Sequence, residues 1–528
     1  MKKIIFYLMA LLLMNIAGSC KYGYDDVSNA LPDIQINNVT EPGVVPSQLF
    51  LGDTLKVTPK IVYGTDASAK FGFRWYKQYS SALKLISEDP SLAYRLDSLG
   101  TWTLRLEVTN KQTQVTSSAT VGFSVISHSE RGWYILKETT DGNTDMDLVR
   151  MTEAGAVDGV ELNVLGNTGN TLLGKPMSMS FVYNYNWKAP GTSYFTSYIS
   201  TIMPVSQKGL ATFRMRDERV LTSNKSLFFD DNDGNNNALT VGISSPLQSI
   251  IINNGKAHLM IQGMQAFLPA IPGNYSLSPY LTTSNTSGSY MLGFDELSHS
   301  FVYISSKASA ISYFPDKYLP RNYKISSNRM NGTISFMENT DGTINPDTLY
   351  SQRAYAMFHE TDRTDRCILL GLDLAQVDPL QSLYGATKYS PVMYADTISY
   401  DKYPAMKTAT TFAMHKNYPL LYFAQGNQLN SYLIDNKTIR QGLVTYSAGE
   451  EITYMHFAEC VYDTKNFRNL IVATYNPSNA TYKVYRYTVA GNDIIQVGDP
   501  FTGKGKVKSL IYSAPNYSYW NNNVYRNY

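Results

Sequence analysis

The sequence is poor in cysteine, in charge and in long apolar runs, and each shortage excludes something. Only Cys20, Cys367 and Cys460 occur in 528 residues. That rules out a disulfide-stapled fold, and a chain of this length builds a core without covalent staples. Cys367 and Cys460 are expected as isolated buried thiols, with one long-range bridge as the alternative. Charged residues make up 17% of the chain, below the roughly one quarter that is usual. The 45 basic and 43 acidic residues almost cancel, which leaves no electrostatic footprint for nucleic acid or an anionic membrane face. Beyond residue 20 no apolar run approaches the ~20 residues of a spanning helix. Helical periodicity nowhere survives beyond a turn or two.

The sequence signatures of common enzyme sites are missing too. There is no Gly-x-Ser-x-Gly elbow, and Gly503-Lys504-Gly505 lacks the third glycine and the strand-to-helix setting of a phosphate loop. His359-Glu360 begins like a zinc-protease motif, but Arg363 stands where the second histidine is required. The histidines are scattered and read as structural. No Ser-x-Asp-x-Gly-x-Thr-Trp box of sialidase propellers occurs, and Asp141-Gly142 and Asp341-Gly342 read as hairpin turns.

What is present begins at the N-terminus. Lys2 and Lys3 precede the apolar run Ile4 to Ile16, and Ala17-Gly18-Ser19 leads into Cys20. This is the layout of a secretory signal peptide over residues 1–19. The small residues before Cys20 resemble a bacterial lipobox, with Ala17 where the usual pattern has leucine. The resemblance implies that Cys20 is lipidated and that the lipid holds the protein on a membrane. Residues 20–30 form a polar tether, and Asp25-Asp26 is similar to surface-export signals of Bacteroidetes.

The abundant residues lean towards strands, with 41 Tyr in the chain. Phe71 to Lys77, Leu99 to Asn110 and Val115 to Val125 alternate apolar and polar residues, which predicts an antiparallel sandwich over 31–126. Trp75 and Trp102 are expected in its core. From residue 127 to 528 the texture changes to strand, polar turn, strand units. Gly132 to Lys137 with Met146 to Met151 is one, and Pro419 to Ile434 around Gln425-Gly426-Asn427-Gln428 is another. Such units return at intervals of roughly 40–60 residues, close to blade length. The expected fold is therefore all-β: an N-terminal Ig/PKD-like β-sandwich followed by a β-propeller of roughly six to eight blades.

The mid-strand Trp75 and the run Gly100-Thr101-Trp102-Thr103-Leu104-Arg105-Leu106-Glu107-Val108 resemble the PKD branch of immunoglobulin-like folds. With the lipobox and the β-repeat region, the whole chain resembles the PKD-like family lipoproteins of Bacteroidetes. The resemblance implies a lipid-anchored protein at the outer membrane, surface-exposed, in the setting of a TonB-dependent receptor and its surface lipoprotein partner. It implies no reaction. The expected function is non-enzymatic binding of a glycan or peptide ligand, and the alternative is a propeller-type glycan hydrolase or lyase with carboxylates at its channel.

Two candidate sites follow from the residues. Tyr183, Tyr185 and Trp187 are read as a propeller loop that places rings at alternate positions beside Asn184 and Asn186, a mixture that suits sugar stacking. Asp231, Asp233 and Asn235 set hard oxygen ligands at alternate positions, as calcium prefers. The EF-hand frame fails there, because glycine comes two positions early and Gly242 replaces the closing glutamate, so a flexible polar loop is the favoured reading and no cofactor is expected.

Overall fold

The computed structural model describes residues 32–64, 68–79, 81–152, 154–230, 234–241, 247–261, 263–283, 290–305, 310–314, 325–340, 353–374, 390–416, 418–459, 468–491 and 493–513. The chain divides into two compact units, Met1–Ser127 and His128–Tyr528.

In the first unit the alternating segments fold as read. Phe71–Tyr79, Gly100–Asn110 and Thr116–Ile126 pair antiparallel, and a five-stranded sheet is completed by Ala82–Ser87 and, in parallel, Gln48–Phe50. Trp75 faces Leu106 across the ladder. It is fully buried among Leu55, Val57, Leu92, Leu104 and Val108, and its indole N–H donates to the Asp89 carbonyl at 3.0 Å. Trp102 sits at the margin of the same core, with the Lys77 ammonium 3.9 Å from its ring. That ammonium bonds Asp97 at 2.7 Å and holds the carboxyl well below its usual range.

The second unit contains seven sheets among the described residues, and each is a blade. Their innermost strands are Lys506–Ser513 in blade 1, Pro176–Trp187 in blade 2 and Asn236–Val241 in blade 3. Blades 4 to 7 begin with Thr282–Thr283, Gly332–Asn339, Thr411–Met414 and Glu451–Glu459. Blade 1 is closed by the C-terminal strand, which pairs with Gly132–Glu138 so that Tyr512 lies opposite Trp133. That closure joins the two ends of the propeller sequence in one sheet. Seven apolar clusters lie between successive blades and complete the ring.

Blade strands buried on both faces explain the continuous apolar runs. Trp133 and Ile135 face blade 7, with Ile471 and Tyr482, while Tyr134 and Leu136 face blade 2, with Ile202 and Phe213. A Cβ at Gly132 would lie 2.3 Å from the Val149 carbonyl oxygen, so only glycine fits where this strand begins. The seam also holds a buried polar bridge. Lys137 Nζ lies 2.6 Å from Asp147 Oδ1, and the Tyr482 hydroxyl of blade 7 donates to Asp147 Oδ2 at 2.7 Å.

Candidate functional site: the central channel

The aromatic candidate is corrected by the structure. Tyr185 and Trp187 belong to a strand and not to a loop, and alternation turns both rings into the core between blades 2 and 3. Tyr185 is fully buried, and its hydroxyl donates to the Gln265 carbonyl at 2.8 Å. The Trp187 N–H donates to the Leu221 carbonyl at 3.1 Å, and Arg219 lies over its ring. Rings used this way seal blades and offer no stacking surface. The Tyr183 side chain lies outside the described residues, as do Cys20, Cys460, Asp231 and Asp233. Asn235 is exposed, and its amide donates to Asn254 Oδ1 at 2.7 Å. Among the described residues no three His, Cys, Asp or Glu side chains gather as metal ligands. Cys367 is a buried free thiol whose pKa burial raises to about 11.

The site that the topology builds lies elsewhere. Each innermost strand has a ladder partner on one side only, so its other edge turns backbone N–H and C=O groups towards the channel. All seven innermost strands, or the residues just before them, line one cavity of about 420 Å³. Its exposed lining residues Pro279, Thr410 and Lys508 precede or open their strands, which places the mouth at the strand starts. Asn237, Tyr280, Thr453 and Ser509 are half-buried below, among methionines 177, 179, 337 and 455.

Farther along the channel a charged cluster ties three blades together. Glu338 stands next to last in the blade 5 strand, Lys416 follows the blade 6 strand, and His456 lies within the blade 7 strand. Lys416 Nζ donates to Glu338 Oε1 at 2.8 Å and to the Asn339 carbonyl at 3.0 Å. The Met414 N–H donates to Glu338 Oε2 at 2.9 Å, and His456 Nδ1 lies 3.1 Å from Oε1. Burial alone would raise the Glu338 pKa, but Lys416 and then His456 bring it down to about 2. The contact with the carboxylate puts the proton on His456 Nδ1, and Nε2 is buried with no hydrogen-bond partner among the described residues.

Glu338 is the one carboxylate lining the cavity among the described residues, and both its oxygens are taken. Lys508 differs. Solvent reaches it inside the channel, no described residue forms an ion pair with it, and the crowding wall, then Lys506, push its pKa below the usual range. The remaining histidines keep local partners, such as His359 with Ser335 at 2.7 Å and His299 with the Gly332 carbonyl at 2.6 Å. Sequence reasoning missed the whole cluster, because Glu338, Lys416 and His456 sit in or beside unremarkable strands far apart in the chain.

Solved structures that resemble the chain do so distantly. A quinonprotein alcohol dehydrogenase-like protein from Bacteroides thetaiotaomicron is similar at a TM-score of 0.40 and 11% identity, over 91% of this chain and 99% of that one. The dihydro-heme d1 dehydrogenase NirN is similar at 0.36 and 10%, over 72% and 75%. Hsv2p of Kluyveromyces lactis is similar at 0.34 and 7%, over 69% and 94%. At these scores the likeness carries nothing about activity. No curated protein matches the chain. Residues 21–176 match the model of the PKD-like family, a span that covers the sandwich and continues through the first blade strands, and the N-terminal part of the chain is a PKD-like domain.

Proposed function

We propose that the chain is a lipid-anchored outer-membrane lipoprotein of Bacteroidetes that binds a small ligand in its propeller channel without transforming it. It would serve a TonB-dependent nutrient-uptake system beside the receptor and its lipoprotein partner. The lipobox at Cys20 and the PKD-like match support the setting. One observation carries the binding role: the cavity joins hydroxyls, an amide, a ring and backbone edges, while its carboxylate is locked by Lys416 and Met414. Glycoside hydrolysis by the common route needs two carboxylates facing one bond, and a carboxylate already committed to a buried ion pair serves neither role.

The test is a thermal-shift titration of the full chain with neutral sugars, sugar acids and short peptides. A ligand that binds only the folded state raises the melting temperature with concentration. A shift without turnover of the ligand supports the reading. Turnover, or no shift with any member, overturns it.

A further inference from the structure

We infer that the channel cavity selects a small hydroxylated carboxylate, a sugar acid, and that Lys508 meets its charge. The inference rests on the channel-binding reading above. Among the described residues lining the cavity Lys508 is the accessible charge, and the Glu338 charge deeper in is compensated by Lys416. The contrast with its neighbour is direct: Lys506, two residues earlier, pairs with Glu451 at 2.7 Å. A cation that faces the channel with no ion-pair partner among the described residues favours an anionic guest and disfavours a cationic one. Its ammonium is pushed below the usual range by burial and then by Lys506, and a bound anion would reverse that shift.

A single lysine matches a single negative charge. No arginine lines the cavity among the described residues, so the planar fork that favours phosphate is not offered. The rest of the wall suits hydroxyls. Asn237, Thr453 and Ser509 supply amide and hydroxyl groups, and the half-buried Tyr280, packed in part against the core between blades 4 and 5, adds ring surface to the wall. A volume of about 420 Å³ falls in the range of roughly 300–1,000 Å³ typical of small-molecule pockets.

The experiment is isothermal titration of the full chain in detergent with glucuronate, glucose and inorganic phosphate at low salt, repeated on Lys508→Gln. A charge-assisted hydrogen bond is lost in the variant, and the expected effect is at least about tenfold weaker glucuronate binding. Wild type should prefer glucuronate over glucose by a similar factor, and the variant should lose that preference. Equal affinity for glucose and glucuronate, phosphate binding as tight as glucuronate, or an unaffected variant with native circular dichroism would each overturn the inference. Should neutral sugars or peptides bind while glucuronate does not, the inference falls and the channel-binding reading stands. Should nothing bind, both fall.

Discussion

Replacing Glu338 by Gln keeps the shape of the side chain and removes its charge. The amide oxygen can still accept from Met414 N–H, but its NH2 then faces the donors that Oε1 accepted from, and the Lys416 ammonium, with its side chain 1% exposed, is left without a counter-charge. Breaking a buried pair from one side costs about 3–5 kcal/mol. The depressed pKa gives a second route to the magnitude: a shift from 4.5 to about 2 corresponds to on the order of 3 kcal/mol. Lys416→Met in the same background removes the stranded charge, so E338Q/K416M should recover much of the loss, about 2–3 kcal/mol. Urea unfolding followed by tryptophan fluorescence measures the wild type and both variants. The pH dependence has a defined sign. Because the folded pKa lies below the unfolded one, the contribution of Glu338 is complete above about pH 4.5 and fades as pH falls towards 2. The stability gap between wild type and E338Q should therefore narrow by about 2 kcal/mol between pH 7 and pH 3. A cost below about 1 kcal/mol for E338Q, or a double variant no more stable than the single one, would refute the buried-pair account.

Three further outcomes follow from the same reasoning. Tyr482→Phe removes the hydroxyl that blade 7 donates to Asp147 and should destabilise the propeller by about 1–3 kcal/mol in urea unfolding. Trp187→Ala empties part of the core between blades 2 and 3 and should cost about 3–5 kcal/mol, with ligand affinity unchanged under conditions where the variant is folded. Cys20→Ala should move the protein from the outer-membrane fraction to the soluble fraction, and continued membrane retention would contradict lipid anchoring at that residue.

The sandwich was legible because one face of each strand is buried. Leu104, Leu106 and Val108 point inward while their neighbours are partly open, and that alternation is written in the sequence. The propeller showed itself differently, through runs such as Trp133 to Leu136 that are buried on both faces, and through the Gly426 turn between Leu420–Gln425 and Gln428–Leu433. The number of blades was not legible. Thr282–Thr283 is a two-residue innermost strand, too short for a periodic signal, and the partner of Lys506–Ser513 lies at the other end of the propeller sequence. Tyr185 and Trp187 were misplaced because abundant tyrosine and asparagine imitate a loop. The first turn signal after Met179 is Pro190-Gly191, and that marks where the strand ends. The Glu338, Lys416 and His456 cluster had no signature, since only the ring brings three successive blades together.

The central claim, that the channel is where the ligand binds, is tested most directly by plugging its mouth. Thr410 is exposed at the rim, and its backbone N–H bonds the Ala424 carbonyl at 3.2 Å, so Thr410→Trp adds an indole to the opening without disturbing the strand. For whichever small molecule gives the largest thermal shift, the affinity of Thr410→Trp should fall at least about tenfold at unchanged melting temperature of the free protein. Unaltered affinity in that variant would place the ligand outside the channel and contradict the account.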